Sequence, residues 1–157
     1  MKKICVTLMM VMMTVICAQA QKLKFMGVLM GSTSADFQTM LAEKEFNEPV
    51  KQGNVDFYKN GKFEDKAATV AVYNNDADEI NRIVAYIEVE NEGEANCIIK
   101  DLGERFKAQN QGYILKDLSQ NGKILHIYSR KDDYSEYVAI EFAAGDKKLN
   151  VQYILAQ

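Results

Sequence analysis

The chain has 157 residues, of which 26% are charged, and a net charge of −3 at pH 7. That length suits a single domain with a core of its own. The acidic balance argues against nucleic acid or an anionic membrane surface as partner, since both require a basic patch.

Residues 1–20, MKKICVTLMMVMMTVICAQA, read as a cleavable export signal. Lys2 and Lys3 form the positive start, and residues 4–17 are apolar apart from Thr7 and Thr14. Ala18-Gln19-Ala20 then places small residues for cleavage before Gln21. The apolar run is too short to cross a bilayer, which takes about 20 such residues. The competing reading is a lipid anchor at Cys17, but branched Ile16 stands where a lipobox carries a small residue. The expectation is therefore a periplasmic or secreted protein with no membrane span in the mature chain.

Removing the signal takes away two lysines and no acids, which moves the net charge from −3 to −5. Such a balance is compatible with a basic protein partner or simply with solubility. Cys5 and Cys17 also leave, so Cys97 has no internal disulfide partner and stability must come from packing.

Residues 21–157 read as one α+β domain, an antiparallel sheet with two helices packed on one face. In chain order, 25–30 is a short apolar strand. Thr33-Ser34-Ala35-Asp36 is a capping box, and Phe37, Met40 and Leu41 recur at helical spacing until Asn47-Glu48-Pro49. Strands follow at 67–73 and 80–90 around the turn Asn74-Asn75-Asp76-Ala77-Asp78. Within the second, Ile83, Ala85, Ile87 and Val89 face away from Arg82, Val84, Tyr86 and Glu88. A second helix is predicted over 94–110 from the stripe Ala95, Ile98, Ile99, Leu102 and Phe106, with Gly112 to end it. Strands at 113–118, 123–130, 135–142 and 149–155 complete the chain, joined by short turns that imply antiparallel pairing.

At an offset of 61 residues, Phe37 meets Ile98, Leu41 meets Leu102, and Asn60-Gly61-Lys62 meets Asn121-Gly122-Lys123. This suggests two α-β-β(-β) pseudo-repeats, 24–90 and 91–157, sharing one sheet.

Catalytic and metal chemistry finds little to work with. His126, the only histidine, sits in a strand, and any Ser-His or Cys-His site would need it. Asp76, Asp78 and Glu79 invite a calcium reading, but Asn81 and Ile87 occupy the positions where an EF-hand needs Gly and Glu. Gly27 and Gly31 match no phosphate-loop spacing, and one Cys with one His does not make a zinc site. Neither catalysis, a metal nor a cofactor is expected. Cys97 falls opposite the apolar stripe of its helix; from there a thiol pairs between chains unless a loop covers it, and a covered thiol is the expectation.

The tyrosines carry the binding argument. Tyr86, Tyr128 and Tyr137 are placed opposite the core faces of their strands, with His126 and Arg130 aligned with Tyr128. An aromatic, polar sheet face suits recognition of protein or peptide, because tyrosine offers large area at low entropy cost.

Lys24-Phe25-Met26-Gly27, the Ser/Thr-x-x-x-Phe-x-x-x-Leu pattern and the Lys44, Phe46 ending resemble small exported bacterial proteins of unknown function. The helix-plus-sheet layout is similar to beta-lactamase-inhibitor-protein-like and PepSY-like periplasmic modules. That resemblance implies binding through the sheet without catalysis. The functional expectation is an exported binding module, monomeric or homodimeric. The alternative is an immunity or inhibitor protein whose acidic turns act on a basic toxin or enzyme.

Overall fold

The computed structural model describes residues 22–109, 112–130 and 133–156. The export signal, the Asn110 end of the second helix and the Lys131-Asp132 turn positions lie outside the described residues.

Helix α1 spans Ser34–Glu43 and begins as its sequence dictates. The Thr33 side chain accepts from the Asp36 backbone N–H while the Asp36 carboxylate accepts from Thr33, so two orphan donors are satisfied reciprocally. The helix stops before Asn47-Glu48-Pro49. The Glu45 N–H donates to the Ala42 carbonyl and the Phe46 N–H to the Leu41 carbonyl, closing a Schellman motif around Glu45 at φ 64°. Glycine normally holds that left-handed position, where a Cβ costs roughly 1–2 kcal/mol. Glu45→Gly is therefore expected to stabilise the fold by about 0.5–1 kcal/mol, read as a higher midpoint in urea with an unchanged slope.

Helix α2 spans Glu92–Gln109 and is started by Asn91, whose side-chain oxygen accepts from the Glu94 N–H at 3.0 Å. It buries Ala95, Ile98, Ile99, Leu102 and Phe106, the stripe read from the sequence, and Gly103 beside them.

The predicted strand at 25–30 is instead a minimal hairpin. Met26 and Gly27, at φ 48° and 95°, turn β1 (Lys24–Phe25) onto β2 (Val28–Leu29). The remaining strands are β3 (Val50–Gln52), β4 (Val55–Phe63), β5 (Lys66–Asn74), β6 (Ile80–Glu88), β7 (Tyr113–Asp117), β8 (Lys123–Arg130), β9 (Asp133–Ala143) and β10 (Lys148–Leu155). They form one eight-stranded antiparallel sheet in the order β3-β4-β5-β6-β10-β9-β8-β7. The sequence reading did not include β3 and β4. A bulge between Tyr58 and Gly61 breaks the alternation of β4, and both of those residues face inward.

Each half of the chain thus runs helix then four-strand meander, and the halves meet where β6 pairs with β10. The offset of 61 does not superpose them. The strands recur at a longer spacing than the helices, so Asn60-Gly61-Lys62 in the β4 bulge is set against the Asn121-Gly122 turn before β8.

Both helices cover the same sheet face. There Tyr58, Val70, Ala85, Val151 and Ile140 lie in register across five strands. Phe25 stacks on Phe63 at 5.4 Å, and Tyr153 meets Phe25 edge-on at 5.0 Å and Phe106 at 5.8 Å. Each fully buried side chain of this size contributes about 1.5–3 kcal/mol, so the core stands without a disulfide.

Candidate functional site

The opposite face of the sheet carries no helix. Register carries Phe57 to Ala71 to Val84 to Gln152 to Ala139 to Ile127 along one row of it. Ala71, Val84 and Ala139 are 0%, 2% and 7% exposed although they lie outside the core cluster beneath the helices. They are small side chains flanked by long ones. Tyr73 and Arg82 pair on one side of Ala71 and Val84, and Thr69 and Tyr86 pair on the other.

This face also collects exposed apolar groups. Val50 (50%) is opposite Phe57, Ile114 (50%) is opposite Ser129, and Leu118 (41%) is bonded beside Leu125. Tyr134 (43%) lies on the same side, its ring under the Lys116 ammonium at 5.5 Å. Leu29 in the β1–β2 hairpin is the other large apolar side chain exposed among the described residues.

Two cations are posed over rings here. The Arg82 guanidinium stands 5.0 Å from the Tyr73 ring centre and donates to the Gln152 side-chain oxygen at 2.7 Å. That arrangement holds a flexible side chain in one place, which lowers the entropy cost of using it. Burial, and then neighbouring Tyr73, push the Tyr86 phenol above its ordinary range.

The structure divides the sequence-predicted site. Tyr86 and Tyr137 are on the helix-free face, half-buried, in rows with Asn150 and with Ile154. His126, Tyr128 and Arg130 are on the other face. Tyr128 is 3% exposed and lies edge-on to Phe106 at 5.6 Å, with its hydroxyl against Gly103 of α2, where a Cβ would come within 2.3 Å. The absence of a side chain at Gly103 is what lets the tyrosine tip slide under the helix. Alternation fixes the rest: with Tyr128 inward, His126 and Arg130 are inward and Leu125 and Ile127 outward. Arg130 pairs with Glu136 at 3.1 Å and lies over the Tyr113 ring at 5.8 Å, a structural position. His126 Nε2 is 3.7 Å from Asp117, while its Nδ1 is buried with no hydrogen-bond partner.

Cys97 is exposed, so the expectation of a covered thiol fails for the described residues. In the β5–β6 tip, Asp78 accepts from Ser34 and Asn74, and these bonds hold its carboxyl below the ordinary range. Its residues brace α1 rather than converge on a cation, and among the described residues no three His, Cys, Asp or Glu side chains could hold a metal. No helix among them is long and apolar enough to cross a membrane.

A second depression, about 850 Å³, lies on the helix side between the β1–β2 hairpin, the helix C-termini and the β4–β5 turn. Its lysines (Lys22, Lys24, Lys44, Lys62) are interspersed with Glu43, Glu45, Glu64 and Asp65, so its lining is of mixed charge.

The described residues define a mixed α+β domain with one face given to its core and the other left aromatic and apolar. No family model matches the chain, and neither curated proteins nor solved structures give a match.

Proposed function

We propose that the protein is an exported, non-enzymatic binding module that recognises protein or peptide with the helix-free face of its sheet. The observation that carries this reading is the gathering of Ile114, Leu118 and Tyr134 at the β7 side of that face. Contiguous exposed apolar surface rimmed by polar groups marks interaction sites on soluble proteins, and tyrosine with arginine is the composition of interface hot spots. Export rests on residues 1–20 as read above. The layout's likeness to beta-lactamase-inhibitor-protein-like modules points to the sheet as well. The same reading takes 24–90 and 91–157 as a duplicated unit, supported by the mirrored strand order about β6 and β10.

The residues that matter change accordingly, from His126, Tyr128 and Arg130 to Tyr73, Arg82, Ile114 and Tyr134, with Tyr86 and Tyr137 retained. The test is capture from bacterial envelope extract by the protein, by its Tyr86→Ala/Tyr137→Ala variant and by a Lys100→Ala variant of the outer face of α2. Loss of a captured partner only in the double variant, with cooperative melting kept, is the expected result. Equal capture by all three would overturn the reading. The immunity or inhibitor alternative has less support, because Asp78 and Glu79 already accept hydrogen bonds within the tip.

A further inference from the structure

The helix-free face carries a charge balance opposite to that of the chain. Among the described residues, Arg82, Lys116, Lys123 and Lys148 lie on it with Glu88 and Glu141, on a protein of net charge −3. Glu141 is in an ion pair with Lys123, and Glu88 stands directly opposite Lys148. Among the described residues, Arg82 and Lys116 then have no carboxylate partner. The acids are elsewhere, on the β5–β6 tip and the outer face of α2, where Glu92, Asp101 and Glu104 are exposed.

From this we propose that the occupant of the face is an acidic protein segment whose apolar side chains pack on Ile154, Tyr137 and Ile114 while its carboxylates meet Arg82 and Lys116. The inference rests on the reading that this face binds protein, and adds the chemistry of the partner. Arg82 on β6 and Lys116 on β7 are four strand spacings apart, about 19 Å at ~4.8 Å each. An extended segment of about six residues covers that distance. From Arg82 one register row runs through Ile154, Tyr137 and Ser129 to Ile114, two residues before Lys116 on β7. Both cations are already held over aromatic rings, so little ordering is left for the encounter, and charge of this sign steers an acidic partner and rejects a basic one.

The experiment is selection of a random-dodecamer phage library on the protein, with the enriched peptides then synthesised and titrated. Enriched sequences are expected to be net acidic with interspersed apolar residues. Their affinity is expected to fall about tenfold or more on Arg82→Glu/Lys116→Glu and to weaken with added salt. Enriched peptides that are neutral or basic, yet lose binding to Tyr86→Ala/Tyr137→Ala, would overturn the charge assignment and leave the face reading intact. Peptides that bind Tyr86→Ala/Tyr137→Ala unchanged, or no enrichment above background, would overturn both.

Discussion

Gly61→Ala is expected to destabilise the protein by about 3 kcal/mol or more, at the upper end of overpacking costs. A Cβ at Gly61 would stand 2.3–2.4 Å from Cγ, Cδ1 and Cδ2 of Phe46, at the root of the ring and not at a mobile tip. Neither partner can retreat. The Phe46 ring is 6% exposed, and its N–H is tied to Leu41 in the bonds that end α1. Gly61 is fixed by the β4 bulge, where Asn60 already takes φ 61°. Phe46→Ala alone should cost about 3–5 kcal/mol through lost burial and the cavity left behind. In that background Gly61→Ala should add less than about 1 kcal/mol, a strong non-additivity for two residues in contact. Urea denaturation of the four proteins measures the cycle, and additive losses would show that the ring does not rest on Gly61.

That contact also explains why part of the fold was legible and part was not. Two local signals were legible because the deciding interaction is local, although the tight Met26-Gly27 turn inside 25–30 was not. The Thr33–Asp36 box starts α1, and the stripe from Ala95 to Phe106 faces the core. The faces of β6 came out correctly because Arg82 and Glu88 flag the wet side of the strand. Strand β4 hid behind its bulge: Tyr58 and Gly61 both face the core with Lys59 and Asn60 between them, while Val55 and Phe57 are apolar on the open side.

Strand β8 misled for a related reason. Leu125 and Ile127 look like the buried set, and the charged ends of the strand disagree, with Lys123 on the helix-free face and Arg130 on the helix side. What settles it is Gly103 on another element, opening the one place where a tyrosine fits under α2. The site was therefore half visible, through Tyr86 and Tyr137. Tyr73 and Arg82 are paired only through a register shift between Tyr73 and Asn74, which hairpin spacing alone does not reveal.

Alkali should unfold the protein over the range in which its buried phenols are forced to ionise. Burial first, then the Asp56 and Glu48 carboxylates, push Tyr58 from 10.0 up to about 12, and its side chain is only 3% exposed. Tyr113, Tyr128 and Tyr153 move the same way, each chiefly by burial, with Glu136, Asp117 and Glu64 adding to it. A raised phenol binds its proton more tightly in the folded state, so this part of the stability is complete below pH 10 and is lost as pH rises through the folded value. For Tyr58 alone a rise from 10.0 to about 12 corresponds to about 3 kcal/mol, a large share of a stability of about 5–15 kcal/mol. Phenolate absorbance and far-ultraviolet circular dichroism followed together should therefore show these tyrosines ionising in step with loss of structure between pH 10 and 12. Tyr58→Phe should shift that transition to higher pH by removing the most clearly bounded of the contributions. Complete ionisation near pH 10 with the sheet signal intact would mean that the phenols are not held in the core.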